Sequence, residues 1–250
     1  MMRTLVAISV FATLVVNGLA NALPINGQTT GEISDRFAVL FTPAAYVFAI
    51  WGLIYLGLLA LAVYQFLPGQ RDNPRLVRSR PWLALSGAAN IAWLLLWHYE
   101  QFPLTMLAML ALLGLLILTY LRMGIGLQPV PAAERWLVQL PISIYLGWIS
   151  VATIANASVF LVDQGWSGWG LSAATWTVIM IAAAIVIGSA MVLRRGEVAF
   201  PLVLTWALIG IAVRNAGLPL VEVTAWVAAA AALAAAVWSA IRSPRQPASA

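Results

Sequence analysis

The chain contains no cysteine and no lysine, and His98 is its single histidine. Without cysteine it has no disulfide framework, no thiolate nucleophile and no cysteine metal site. One histidine cannot form a multi-histidine metal centre, and a position at the membrane interface is favoured over haem ligation. The sequence also lacks a Ser/His/Asp set, paired carboxylates within an apolar run and a phosphate-binding glycine loop. We therefore assign no catalytic and no metal-binding residue.

The chain has few charged residues and many long apolar stretches. Charged residues make up 8% of the 250 positions, whereas hydrophobic residues make up 63%. A soluble domain carries about a quarter charged residues, so this composition predicts an integral membrane protein. The net charge of +5 comes from arginines in short loops between apolar runs. Membrane topology and anionic lipid headgroups explain these arginines better than nucleic acid does, and we expect no nucleic-acid partner.

Several stretches are apolar enough to cross a bilayer, which takes roughly 20 residues in a helix. The predicted fold class is therefore all-α, a polytopic transmembrane helical bundle of about eight spans. The seventh span is the weakest, because it is short and ends at Arg214 and Asn215. The predicted spans are 4–22, 43–66, 82–99, 103–123, 136–161, 171–193, 199–214 and 219–241.

The arginines favour one side of the membrane. If the N-terminus and every second loop share a side, the opposite side holds only Arg36 and Arg214. By the positive-inside rule both termini are then cytoplasmic, and we expect a bacterial inner membrane. Merging the last two spans would move the C-terminal arginines outside, so eight spans are preferred to seven. The cytoplasmic arginines are Arg3, Arg71, Arg75, Arg78, Arg80, Arg122, Arg135, Arg194, Arg195, Arg242 and Arg245.

The first span has a competing interpretation. Arg3, a short apolar run and Ala20-Asn21-Ala22 also fit a secretory signal with a cleavage site. The run is long for a signal, and the arginine pattern works with the segment kept, so we favour a retained span. The one long loop, residues 23–42, is predicted to fold back over the helix ends as a lid. Residues 242–250 are predicted to be a disordered tail.

Three spans carry aromatic and amide residues along one face. Residues three, four, seven and eleven positions apart share a face of a helix. Lipid offers an amide no hydrogen-bond partner, so these asparagines should face protein or a cavity. Each residue alone fits a packing role, but the combined set indicates a ligand pocket between helices. The three stripes are Phe48, Trp51 and Tyr55; Asn90, Trp93 and Trp97; and Tyr145, Trp148, Ala152 and Asn156.

The same segments resemble one known family. The run Tyr46–Tyr55 resembles a family segment that begins Trp-Val-Phe and ends Trp-x-x-Leu-Tyr. Asn90–Trp93 resembles the Asn-x-x-Trp/Phe motif, and Tyr145–Asn156 resembles Tyr-x-x-Trp followed by Ala and then Asn. This family is TspO/MBR, the tryptophan-rich sensory proteins and the mitochondrial translocator protein.

The resemblance implies a divergent, extended member of that family. It covers about residues 4–161, so residues 1–161 are expected to form a five-helix core that includes the loop 23–42. Residues 162–241 would then add three transmembrane helices that the five-helix form lacks. The chain also departs from the family before the second helix, where Pro43 stands in place of the usual proline pair.

The resemblance further implies a pocket beneath the long loop that binds porphyrins and other hydrophobic ligands. We expect a tetrapyrrole-like ligand that serves sensing or ligand handling, and no obligatory cofactor. The expected partners are the lipid bilayer and this small molecule, with a homodimer as one assembly. A transporter of a small amphipathic solute and a pigment-modifying enzyme are the alternatives, and an enzyme is less favoured. By position, the ligand-binding residues are Trp51, Asn90, Trp93, Trp148 and Ala152, with Tyr145 and Asn156 as neighbours.

Overall fold

The computed structural model describes residues 1–242, and this part of the chain contains helices and no strand. Eight long helices follow the predicted spans in order. The predicted tail 242–250 lies outside the described residues except for Arg242, which ends the last helix. The long helices are α1 (Met2–Ala22), α2 (Ile50–Tyr64), α3 (Pro74–His98), α4 (Phe102–Met123), α5 (Leu140–Asp163), α6 (Ala173–Arg195), α7 (Ala199–Arg214) and α8 (Pro219–Arg242).

Within the described residues, six helical stretches are long and apolar enough to span a bilayer. Two of them extend a long helix at its start. The stretch Ala45–Tyr64 adds a 3-10 turn to α2, and Ala132–Asp163 places a π-helical turn, Arg135–Gln139, before α5. Of the other two helices, α3 begins with an arginine-rich segment, and α7 has only 16 residues. The fold is a polytopic helical bundle, as predicted.

Helix α3 begins at Pro74 rather than at residue 82, where the third span was predicted to start. The Asn73 side chain caps the helix by accepting a hydrogen bond from the backbone N–H of Arg75 at 3.1 Å. Proline is favoured at the first helical position, because its missing N–H would have no partner there. The arginines of this segment are therefore held on a helix instead of a loop.

One hydrophobic core extends from α1 to α8. Helix α3 packs between α1 and α4, α5 packs on α4 and α2, and α7 joins α5 to α6 and α8. The last three helices are therefore continuous with the first five. The contact between α7 and the segment before α2 is close: Ala44 N–H donates to the Gly210 carbonyl at 3.0 Å, and Trp206 Nε1–H donates to the Val47 carbonyl at 3.0 Å.

The long loop folds over the ends of the helices. It contains a short helix, Thr30–Asp35, whose start is closed by reciprocal hydrogen bonds between Thr29 and Glu32. These bonds hold the pKa of the Glu32 carboxyl below its usual value. Two ion pairs connect the loop to the bundle, Arg36 with Glu100 at 2.8 Å and Arg214 with Asp35 at 2.6 Å.

We expect Gly87→Ala to destabilise the protein. A Cβ at Gly87 would collide with Ser9 Oγ and lie 2.9 Å from Thr13 Oγ1, both on α1. Overpacking of this kind costs about 1–3 kcal/mol. The matched control is Gly114→Ala on α4, where a Cβ meets nothing within 4 Å. Thermal unfolding in detergent compares the two variants, and equal midpoints would contradict the close crossing of α1 and α3.

Candidate functional site

The aromatic stripes of α2 and α5 meet beneath the long loop. The Trp51 ring centroid lies 6.0 Å from that of Tyr145 and 6.3 Å from that of Trp148. Phe48 approaches Trp148 edge to face at 5.7 Å, and Tyr55 stacks on Trp51 at 5.5 Å. Such edge-to-face and offset contacts are the favoured geometries of aromatic pairs. Two of the three predicted stripes therefore form one wall.

The stripe on α3 faces the same region from the opposite side. Trp93 stacks on Trp97, with ring centroids 5.8 Å apart. The Trp93 Nε1–H donates a hydrogen bond to Asn156 Oδ1 on α5 at 2.8 Å. Asn156 Nδ2 in turn donates to Thr105 Oγ1 on α4 at 3.3 Å. This amide therefore connects three helices, and it sets the distance between α3 and α5 at the site.

Asn90 forms a second polar network deeper in the bundle. It is fully buried, and its Nδ2 donates to the Tyr145 hydroxyl on α5 at 2.9 Å. Its Oδ1 accepts a hydrogen bond from Asn17 Nδ2 on α1 at 2.8 Å. The Asn17 amide also donates to the Thr13 carbonyl at 2.8 Å. Because lipid cannot pair these groups, the network fixes how α1, α3 and α5 face one another.

Two cavities lie side by side under the loop. The larger has a volume of about 330 Å³ and lies between α1, α2 and α3. The smaller, about 50 Å³, lies between α2, α3 and α5. The side chains that separate the two cavities line both of them, so a movement of these side chains would join the cavities. The shared lining residues are Thr30, Phe48, Trp51 and Trp93.

The structure brings together five of the seven predicted site residues. Trp51 and Trp93 line both cavities, while Trp148, Ala152 and Asn156 line the smaller one. The remaining two, Asn90 and Tyr145, line neither cavity. Their polar atoms are paired with each other behind the wall, so the structure gives them a role in positioning the helices.

Two residues that line the smaller cavity carry buried polar atoms without partners. Trp148 Nε1 and Thr42 Oγ1 are buried, and neither has a hydrogen-bond partner among the described residues. Both side chains line this cavity. A buried donor without an acceptor costs about 1–3 kcal/mol, so such atoms call for an explanation. An acceptor group that enters the cavity would satisfy them.

The roof of the site is attached through the end of α3. His98 is buried, and its two ring nitrogens lie 3.1 Å from Thr30 Oγ1 and 3.1 Å from the Ile25 carbonyl, both in the loop. Trp97 Nε1–H donates to the Thr30 carbonyl at 3.2 Å. His98 therefore holds the loop in place. In residues 1–242 no group of His, Asp or Glu side chains is arranged to hold a metal ion.

Sequence reasoning missed the contribution of α1. Asn17 and Asn21 line the larger cavity, and Asn17 anchors the deep network. The sequence contains a pattern that predicts this contribution, because the polar residues Thr13, Asn17 and Asn21 recur every four residues and so share one face of α1. Thr42 had no such signal, because it lies in the loop, where no helical periodicity points to the cavity.

These features define a polytopic helical membrane protein with an aromatic site under a loop at one end of the bundle. The model of the TSPO-like protein family matches residues 3–238, a range that extends into the last of the three C-terminal helices. The chain therefore belongs to the TSPO-like protein family, and the resemblance seen in the sequence is confirmed. Neither the curated proteins nor the solved structures gave a significant match.

We expect Asn90→Leu to act mainly on stability. The change leaves the Asn17 amide and the Tyr145 hydroxyl without their partner, at a cost of about 1–3 kcal/mol. Asn21→Leu is the control, because Asn21 is exposed and makes a single bond within its own helix. A double-mutant cycle with Tyr145→Phe measures the coupling free energy between Asn90 and Tyr145. Strictly additive effects on unfolding would show that the network is not a unit.

Proposed function

We propose that the protein binds a hydrophobic, tetrapyrrole-like molecule in the cavities under the long loop, for sensing or ligand handling. The observation that carries the proposal is a pair of unpartnered polar atoms, Trp148 Nε1 and Thr42 Oγ1, on residues that line a cavity rich in aromatic side chains. Pockets for small molecules are mostly apolar and contain a few convergent polar groups. Membership of the TSPO-like protein family supports the same location.

The walls suit a flat ligand. Trp51 lies on α2 and Trp93 on α3, and both border the two cavities. Indole faces stack on planar conjugated rings, so a tetrapyrrole would be held between them. The hydroxyl of Thr42 and the indole N–H of Trp148 would donate to oxygens at the polar edge of the ligand. Small Ala152 leaves space opposite the aromatic rings that line the same cavity.

Entry of a large ligand requires movement of the roof. Ligand pockets generally measure about 300–1,000 Å³, so the larger cavity alone is at the lower limit. The two ion pairs that fasten the loop are partly exposed to solvent, and such pairs contribute about 0–1 kcal/mol each. The ion pairs therefore add little to the cost of opening the loop, and its main attachment is through His98 and Trp97. Joining the two cavities would give the site its full size.

We also infer the orientation of the bundle. The end that carries the aromatic site holds Arg36 and Arg214, whereas the opposite end holds the other arginines of residues 1–242. The positive-inside rule supports cytoplasmic termini and an aromatic site that faces the outer side of a bacterial inner membrane. A ligand would then reach the loop from outside the cytoplasm.

Ala152→Phe is expected to abolish saturable binding of protoporphyrin IX. The new ring would fill the smaller cavity, which Ala152 lines. Quenching of tryptophan fluorescence in the purified protein measures binding, and Ala183→Phe adds the same ring at an exposed position on α6 as a control. Equal, non-saturating quenching in all three proteins would overturn the proposed site. Flux into liposomes or a spectrally distinct product would instead favour transport or pigment modification.

Thr42→Val is expected to weaken protoporphyrin IX binding without destabilising the unliganded protein. Valine keeps the shape but removes the hydroxyl, which is buried and unpaired. Loss of its bond to the ligand corresponds to about a 5–150-fold rise in Kd. Thr224→Val on the exposed face of α8 is the control. Unchanged affinity in Thr42→Val would remove this hydroxyl from the binding site.

A further inference from the structure

A larger cavity lies at the opposite, arginine-rich end of the bundle. It has a volume of about 730 Å³ and is formed where α4, α6 and α8 end and where α5 and α7 begin. Four arginines and one carboxylate are among its lining residues. These are Arg135, Arg194, Arg195, Arg242 and Glu197.

The arginines of this cavity are available to a ligand. Arg195 donates to the Ile125 carbonyl at 3.2 Å, and its guanidinium lies 5.6 Å from the Tyr120 ring. Arg242 lies over the Trp238 ring at 4.1 Å. The ion pairs found within residues 1–242 involve other arginines. Four arginines and a single carboxylate, Glu197, line the cavity, and none of these arginines forms an ion pair within residues 1–242, so the cavity has an excess of positive charge.

The carboxylate of Glu197 is held in a fixed position. Its Oε1 accepts hydrogen bonds from the Tyr120 hydroxyl at 2.9 Å and from Ser143 Oγ at 2.6 Å. The residue is only 7% exposed, although it lines the cavity. Its Oε2 forms no hydrogen bond within the described residues. A cationic or hydrogen-bond-donating group of a ligand would find a partner there.

A second buried polar group borders the cavity. Gln139 is 7% exposed, and its Nε2 has no hydrogen-bond partner among residues 1–242. It ends the π-helical turn Arg135–Gln139, so this turn contributes both an arginine and an amide to the lining. Such turns are frequent at functional sites. An acceptor oxygen placed near Gln139 would satisfy its amide.

We propose that this cavity binds an aminoalkyl phosphate group, with the phosphate among the arginines and the ammonium at Glu197. Arginine suits phosphate because its planar guanidinium donates several hydrogen bonds at once. A purely anionic group would leave the Glu197 carboxylate facing a like charge, whereas a zwitterion satisfies both signs. The group can come from the headgroup of an ethanolamine phospholipid or from soluble phosphoethanolamine. This site is independent of the aromatic one.

Native mass spectrometry of the full-length protein in detergent tests the proposal. It is titrated with phosphatidylethanolamine, with phosphatidylglycerol of the same acyl chains, and with soluble phosphoethanolamine. We expect the wild-type protein to bind the ethanolamine lipid about tenfold more tightly than the glycerol lipid. Binding of soluble phosphoethanolamine at equal affinity would identify a soluble source, and binding of the lipid alone would identify the membrane. Equal affinity for the two lipids would overturn the proposal.

Two substitutions test the Glu197 carboxylate and the arginines of the cavity separately. Glu197→Gln should remove the preference for the ethanolamine lipid over the glycerol lipid. Arg195→Gln should weaken the binding of both lipids by about tenfold. Arg78→Gln removes an exposed arginine at the same end of the bundle but outside the cavity, and should change neither affinity. Ala152→Phe should also leave lipid binding intact. If Glu197→Gln does not fold, the proposal is still tested by the wild-type comparison of the two lipids and by Arg195→Gln. Unchanged lipid affinity in Arg195→Gln would contradict phosphate binding.

Discussion

Lipid offers no hydrogen-bond partners, and this constraint determines how the helices of the bundle are oriented. Hydroxyls of the spans, such as those of Thr119, Ser150 and Thr153, bond to carbonyls of their own helices. The buried amides of Asn90 and Asn156 instead pair with other helices, and these pairs fix the rotation of the helices about their axes. Asn90 connects α1 to α5 through Asn17 and Tyr145, and Asn156 connects α3 to α4 through Trp93 and Thr105. The aromatic rings occupy the remaining space between helices that these polar contacts have already oriented.

The two cavities of interest lie where this pairing is incomplete. Thr42 and Trp148 leave polar atoms unpaired at one end of the bundle, and Gln139 does so at the other. Gln65 and Arg80 also carry an unpaired buried atom, but these two residues line neither cavity. An unpaired atom on a residue that lines a cavity is expected where a ligand or ordered water is received. The two cavities differ in character: among the described residues, the smaller aromatic cavity has no charged residue in its lining, whereas the cavity at the opposite end is rich in arginine.

The order of the spans and three aromatic stripes could be predicted because both depend on short-range periodicity. Trp51, Trp93 and Trp148 face a common cavity as their spacing indicated. The role of Asn90 could not be predicted in the same way, because its partners lie on α1 and α5 and spacing along α3 says nothing about them. Thr42 belongs to a loop without periodicity, and the early start of α3 depends on a capping side chain before an arginine-rich turn.

Helix α7 extends from the arginine-rich cavity to the segment that precedes α2. Its first residue, Ala199, lines the arginine-rich cavity, and near its end Gly210 accepts a hydrogen bond from Ala44, two residues after Thr42. A helix of 16 residues is about 24 Å long and resists compression along its axis. An axial shift of α7 would therefore displace walls at both ends at once. Helix α7 thus gives the protein a mechanical connection between the two ends of the bundle.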